Sequence, residues 1–428
     1  MEHLLKSPKR MRIEAEKQQK ITQKIENQAN QPHCHFWVKR KSRYCKMTIK
    51  PNHKFCGEHE PPIEQEPLDE SRIFCPLDPS HSVFKFKLEK HLKVCNARKK
   101  EVSLAYVKKN LNIGLVDNGE DENFKLRDLP DDEIYRVIKI VNELFERHVE
   151  GKIATEIKSH KIFDDEMRIE SYGDEKIRHL SQASSILGIL ESRELLKEKT
   201  CFIDLGAGRG HLSYWLSKLI VDEKIEDSKV LVVDRASHRH KRDNLFKEIG
   251  VVERIRVDLA DLDLKELPFN KCNSIVGVSK HLCGRATDFA LRCILNGNNG
   301  PIISKGFLIC VCCHHQTTFD SFLGREWLIS HGIDRKTFNV IIRMVSWCVC
   351  GDGRRREDRK NEILNNEKMK EREVVGWRCK RLLDYARVKV MSDAGYDTGL
   401  SYYVDKSHTL ENICIVGNLK IDEIKNEI

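Results

Sequence analysis

Three glycines and a set of carboxylates carry the first chemical expectation. Gly206, Gly208 and Gly210 are spaced G-x-G-x-G within Thr200–Gly210, TCFIDLGAGRG. Cys201, Phe202 and Ile203 suit a short buried parallel strand, which Asp204 and Leu205 end. Apolar residues then recur at Leu212, Trp215, Leu216 and Leu219, a helical spacing. A strand, a turn nearly free of side chains and a helix let a ligand lie against bare backbone at the carboxyl end of the strand. Dinucleotide folds use G-x-G-x-x-G and set a pyrophosphate on the helix start. The tighter spacing here reads as a loop for the methionine part of S-adenosylmethionine, which has no phosphate. Asp204 and the three glycines are therefore cofactor-binding candidates.

Downstream segments extend the pattern. Lys229–Val233 is a second strand candidate ending on Asp234, placed where a ribose diol is held by two hydrogen bonds. Arg254–Val257 runs into Asp258, with Asp261 following, and a carboxylate there suits an adenine amino group. Cys272–Val278 is a fourth strand that ends in Ser279-Lys280-His281, on the edge that faces a substrate in doubly wound folds. Lys280 and His281 are the catalytic candidates. His281 suits a general base near neutral pH, and Lys280 suits lowering a hydroxyl pKa by its charge. Asp288 starts a helix and serves as its cap. Pro301–Val311 is a fifth strand, followed by Cys312-Cys313-His314-His315. Four such residues in a row are too tight to grip one zinc, so a pocket wall is expected there.

Two sets of soft ligands lie nearer the start. Cys34, Cys45, Cys56 and His59 read C-x10-C-x10-C-x2-H. Cys75, His81, His91 and Cys95 read C-x5-H-x9-H-x3-C, with Leu88–Cys95 helical. Four N/S ligands are what tetrahedral zinc requires. Segments this short cannot bury a stable core unaided, and structural metal supplies the missing folding energy. His33, His35 and His53 remain open as further ligand candidates in the first set. Lys39, Arg40, Lys41 and Arg43 lie between its first two cysteines, with Trp37 and Tyr44 interleaved. Such a mixture suits phosphate contact and base stacking, so these are the RNA-binding candidates.

The elements that must position these groups divide the 428 residues into several parts. Residues 1–32 form a basic, partly disordered tail; 33–60 and 72–98 form the two metal-stapled modules around an acidic linker at 61–71. Residues 101–199 form a helical connector, with amphipathic helices opening at Pro130 and at Asp174. Residues 200–420 form an α/β domain with a charged surface insertion near 352–373, a helix over Leu382–Ala394 and closing strands at Leu400–Val404 and Ile413–Gly417. Net charge is +9, and residues 1–60 alone hold 14 Lys/Arg against 6 Asp/Glu. A basic end on a near-neutral remainder points to a polyanionic partner such as nucleic acid. No apolar run is long enough for a membrane span and no secretory signal is visible, so an intracellular protein, nuclear or cytoplasmic, is expected. Sixteen cysteines in a reducing compartment then read as ligands, core residues or thiols rather than disulfides.

In combination these motifs resemble one family, the eukaryotic tRNA 2′-O-methyltransferases that modify the fourth nucleotide of the acceptor stem. The resemblance rests on CGEH at Cys56–His59, CPLDPSH from Cys75, DLGAGRGHLS at Asp204–Ser213, SKHLCGRATD at Ser279–Asp288, CVCCHH at Cys310–His315 and LENICIVG at Leu410–Gly417. It implies a Rossmann-like, S-adenosylmethionine-dependent methyltransferase with two structural zinc ions and tRNA as partner. By resemblance, Cys34, Cys45, Cys56 and His59 take one zinc, and Cys75, His81, His91 and Cys95 the other. Gly206, Gly208 and Gly210 line the cofactor loop, with Asp234 on the ribose. After Cys-Cys-His-His the family continues with Arg-Cys, whereas Gln316-Thr317 stand here. Two other classes stay open: a methyltransferase acting on another RNA, a base or protein, and a non-catalytic RNA-binding adaptor.

Overall fold

Each apolar run that ends in a chemically notable residue becomes a strand. A computed structural model of the chain describes residues 33–38, 43–56, 59–60, 72–95, 104–115, 125–238, 241–269, 271–350 and 366–420. The tail at 1–32, the linker at 61–71, the side chains expected of Lys39, Arg40 and Lys41, and residues 352–365 of the insertion lie outside them. The chain divides into two compact units, residues 1–102 and 103–428.

Among its described residues the first unit carries little regular structure. β1 (Trp37–Val38) pairs antiparallel with β2 (Arg43–Tyr44), and β3 (Arg72–Cys75) with β4 (Asp78–Phe84). Helix α1 (Leu88–Val94) follows and delivers Cys95 at its end. Its first module gathers Cys34, Cys45 and Cys56 with Ile49 and Phe55, which is too little apolar surface for a core.

The second unit is built on an eight-stranded sheet: β5 (Ala154–Thr155), β6 (Thr200–Leu205), β7 (Lys229–Val233), β8 (Val252–Ile255), β9 (Ser274–Leu282), β10 (Ser304–Val311), β11 (Tyr396–Tyr402) and β12 (Ile413–Leu419). Their order is β5-β11-β12-β10-β9-β6-β7-β8, with β12 antiparallel to both neighbours and the other pairings parallel. β6 is buried along its whole length, which explains its unbroken apolar run. Helices cover both faces. α2 (Asp131–His148), α5 (Arg285–Gly297), α6 (Arg335–Met344) and α7 (Asn366–Asp393) supply one core, and α3 (Asp174–Ser192) and α4 (His211–Asp222) the other. This is the doubly wound, Rossmann-like α/β architecture expected. Strand order reverses between β6 and β9, and such a switch point opens a crevice at the carboxyl ends of those strands.

Several boundaries differ from expectation. β8 ends at Ile255 because Asp258 instead starts a short turn, its Oδ1 accepting from the Ala260 N–H at 3.1 Å. β9 continues through Leu282, since Ser279 and Leu282 keep partners in Ile309 and Val311 of β10. Lys280 and His281 therefore sit on the strand itself. The stretch from Asn366 to Glu373, expected as part of a surface insertion, is the start of α7: it holds Glu, Lys, Met and Arg and no glycine or proline. The connector is not wholly helical, because β5 extends the sheet beside β11.

Asp288 is more than a cap. It is wholly buried and holds Arg387 of α7 through two bonds of 2.8 and 2.9 Å. Arg387 also reaches Asp384 at 3.1 Å, and Asp384 Oδ1 lies 2.7 Å from His314 Nε2. Attraction to His314 and to its arginine neighbours holds the Asp384 carboxyl far below its usual range against the effect of burial. A buried ionic network thus joins α5, α7 and the segment after β10. His314, expected in a pocket wall, is buried and committed to it.

Candidate active site and metal centres

The glycine loop owes its shape to backbone conformations that side chains resist. Gly206, Gly208 and Gly210 have φ of +73°, +56° and +74°. A Cβ at Gly206 would meet the Leu282 side chain at 2.7 Å, and one at Gly210 would overlap Asp243. At Gly208 a Cβ meets nothing within 4 Å, so the loop's middle faces open space. Asp234, at the end of β7, is aimed at this point: its Oδ2 accepts from the Gly208 N–H at 2.7 Å, and its Oδ1 from the Ala236 N–H at 2.7 Å. Its Oδ1 also lies 3.2 Å from His238 Nε2, and a carboxylate with about four lone-pair sites still has acceptor capacity for a ribose hydroxyl. A cleft of about 320 Å³ lies on the β8 side of Asp234, lined by Ser237, Lys241, Asp243 and Arg254 and not by the three glycines or Lys280. An open glycine backbone and an adjacent carboxylate are what S-adenosylmethionine needs at such a turn.

The other carboxylates have separate tasks. Asp204 is buried and its Oδ2 accepts from the Ser213 N–H at 3.1 Å, pinning the start of α4 to the end of β6. Burial pushes its carboxyl up to about 6. Asp261 Oδ1 accepts from the Asn110 N–H at 2.9 Å and so anchors the 104–115 segment. Asp258 is partly exposed and lies 3.7 Å from Arg235. Of the sequence candidates, Asp234 and the glycines come together, whereas Asp204 and Asp261 make structural bonds.

Lys280 and His281 reach the same edge from β9. Lys280 Nζ donates to the His179 carbonyl at 3.2 Å and lies 3.1 Å from His179 Nδ1, so α3 packs over this end of β9. Burial pushes the Lys280 ammonium down to about 8. His281 is held down to about 4 by loss of solvent and by the Lys280 charge, although its outer surface is exposed. His179 and His211 are also lowered, in each case first by burial. His211 thus lies beside the charges of Arg242, Lys280 and Arg209, which add to the effect of burial.

Sequence reasoning missed His179, His211, Asp243 and Arg254. Arg254 holds Asp243 at 2.7 and 2.9 Å and donates to the Gly208 carbonyl at 3.0 Å, which braces the loop from behind. His211 follows Gly210 directly at the start of α4, whereas His179, Asp243 and Arg254 come from α3, a turn after β7 and β8, where no local spacing signals them.

The ligand sets of the first unit gather closely. The ligand atoms of Cys34, Cys45, Cys56 and His59 all lie within 4.8 Å of one another, as do those of Cys75, His81, His91 and Cys95. His59 Nδ1 is 3.6 Å from Cys34 Sγ and 3.3 Å from Cys56 Sγ. In the second set Cys75 and Cys95 sulfurs are 3.7 Å apart, and the His81 and His91 Nε2 atoms 3.1 Å. Tetrahedral zinc with bonds of about 2.0–2.3 Å separates its ligands by roughly 3.3–3.8 Å, so both sets fit the ion. The spare candidates stand apart from the first set, and His53 pairs with Glu60 instead. Trp37 and Tyr44 pack edge to face at 5.0 Å and stay exposed, at 47% and 61%. Arg43 is on β2.

Comparisons with known proteins agree with this arrangement. Residues 32–60 match the family described as "CCCH zinc finger in TRM13 protein", and residues 72–96 the "U11-48K-like CHHC zinc finger". Residues 181–418, more than half of the chain, match "Methyltransferase TRM13". Similar curated proteins include the "tRNA:m(4)X modification enzyme TRM13" of Debaryomyces hansenii, 31% identical over 94% of this chain and 94% of its own length. The Homo sapiens homologue is 29% identical over 89% of this chain and 93% of its own, and that of Schizosaccharomyces pombe 28% over 82% and 96%. The chain belongs to the TRM13 methyltransferase family, an α/β methyltransferase preceded by CCCH and CHHC zinc fingers.

Proposed function

We propose that this protein transfers the methyl group of S-adenosylmethionine to a ribose 2′-hydroxyl at the fourth position of a tRNA acceptor stem. The observation that carries the reading is Asp234 held against the open Gly208 backbone, with Lys280 on the strand across the switch point. The names of the relatives, tRNA:m(4)X modification enzymes, support the substrate and position. An intracellular location, nuclear or cytoplasmic, goes with a tRNA substrate. No helix among the described residues is long and apolar enough to cross a membrane.

In this reading Gly206, Gly208 and Gly210 admit the donor and Asp234 accepts from its ribose. Asp258 remains the candidate for the adenine edge. When bound, the donor supplies a methyl already activated by a sulfonium. The protein's task is then to align the 2′-oxygen and to take its proton. Lys280 suits that task better than His281. A base works best with a pKa near the working pH, and Lys280 sits at about 8 while His281 sits at about 4. His179 fixes the direction of the lysine nitrogen. Arg209 and Arg242 suit the RNA backbone. Cys34, Cys45, Cys56 and His59 hold one zinc ion, and Cys75, His81, His91 and Cys95 a second. Trp37 and Tyr44 offer stacking faces to unpaired bases, with Lys39, Arg40, Lys41 and Arg43 on phosphates.

The test is incubation of the full chain with labelled donor and total tRNA, followed by alkaline hydrolysis and mapping. A resistant dinucleotide at position four supports the reading. Label on a base, on protein or nowhere overturns it.

A further inference from the structure

A third cluster of soft ligands lies outside both fingers. Cys283 directly follows β9, and Cys312 and Cys313 directly follow β10. Their three sulfurs lie within 4.8 Å of one another. Cys283 and Cys312 sulfurs are 2.7 Å apart. The backbone holds this meeting in place. Leu282 and Val311 are partners in the β9–β10 ladder, and the Gly284 N–H donates to the Cys313 carbonyl at 2.6 Å. Gly284 has φ of +56°, and a Cβ there would meet Gln316 at 2.7 Å.

We propose that Cys283, Cys312 and Cys313 bind a zinc ion of their own. Three sulfurs converging at a half-buried edge are the donor set that a soft divalent cation prefers. Cys293, Cys379 and Cys414 of this unit are wholly buried and, among the described residues, belong to no such group. The crowding that forbids Cys312–His315 from gripping one ion does not apply. His314 is taken by Asp384, and the third sulfur comes from another strand. Binding releases the thiol protons and opens the Cys283–Cys312 pair to about 3.7 Å, the separation that tetrahedral Zn–S bonds of about 2.3 Å impose. Cys283 is exposed, so the fourth position faces solvent and takes water. The ion clamps the ends of β9 and β10 three residues beyond Lys280, and so shapes the substrate edge. The site is inferred from the thiols alone and does not depend on which nucleotide is methylated.

Zinc per chain, measured by elemental mass spectrometry on full-length protein purified in reductant, tests the site. The expected result is three equivalents in the wild type and two in a Cys283→Ser, Cys313→Ser variant. If that variant does not fold, a chain with Cys56→Ser and Cys75→Ser answers the same question, since it should keep the equivalent held by the second unit. Two equivalents in the wild type overturn the proposal, as does retention of all three in the double variant. A Cys283–Cys312 disulfide in peptide maps of protein carrying two equivalents also overturns it, and makes the pair a redox couple instead.

Discussion

The two units of this chain are ordered by opposite means. The second buries two large apolar clusters on the faces of one sheet, and its order follows from area removed from water. Among its described residues, the first has three buried cysteines and two partly buried apolar residues in its first module, and Cys75, Val83 and Cys95 in its second. Only the ligand geometry explains why those residues converge. One unit holds together around carbon and the other around metal, so conditions that melt one should spare the other.

Metal removal should produce the largest contrast. Structural zinc contributes on the order of 10 kcal/mol to a small finger. A strong chelator should therefore unfold both fingers while the second unit keeps its secondary structure. Limited proteolysis with mass mapping checks this, and equal protection of both units after chelation would erase the contrast.

The reverse experiment strikes the second unit alone. Asp288→Ala leaves Arg387 buried without its main partner, which costs about 3–5 kcal/mol. Chemical denaturation should show the loss while zinc content stays at the wild-type value. Acid should act in the same place. Asp384 is depressed in the fold, so its contribution is present above the ordinary carboxylate range and disappears as pH falls through and below that range.

Chemistry should separate from stability at Lys280. With a folded pKa of about 8, the neutral amine becomes available as pH rises, so kcat/KM should climb through about pH 8 and level off above it. Lys280→Ala should lower turnover about 10²- to 10⁴-fold and abolish that climb, with donor affinity and thermal midpoint little changed. A variant that keeps the wild-type pH profile would move the proton chemistry elsewhere.

The smallest effect belongs to the finger surface. Trp37→Ala removes an exposed stacking face and should weaken tRNA binding by about 1–3 kcal/mol without altering donor binding or zinc content. Titration of labelled tRNA measures it, and unchanged affinity would assign the pair to packing.

Legibility in the sequence differed between the units in the same way. The finger ligands were readable because they lie within a few dozen residues, and C-x2-H or H-x3-C spacing on a turn or helix almost dictates proximity. The glycine loop and Asp234 were readable because strand, loop and helix follow one another directly. Strand ends were read less well at β8 and β9, where a capping Asp258 and the β10 ladder decide the boundary. Asp288 looked like a helix cap because its partner Arg387 lies 99 residues away.

Local chemistry, then, was settled by residue order: which segments are apolar, where the chain must turn without side chains, and which ligands one turn can present together. The fold alone decided that Asp243 and Arg254 brace the loop, that His179 orients Lys280, and that Cys283 meets Cys312 and Cys313. These pairings depend on which strands lie side by side. That order is chosen by packing both faces of the whole sheet at once, and no spacing along the chain records it.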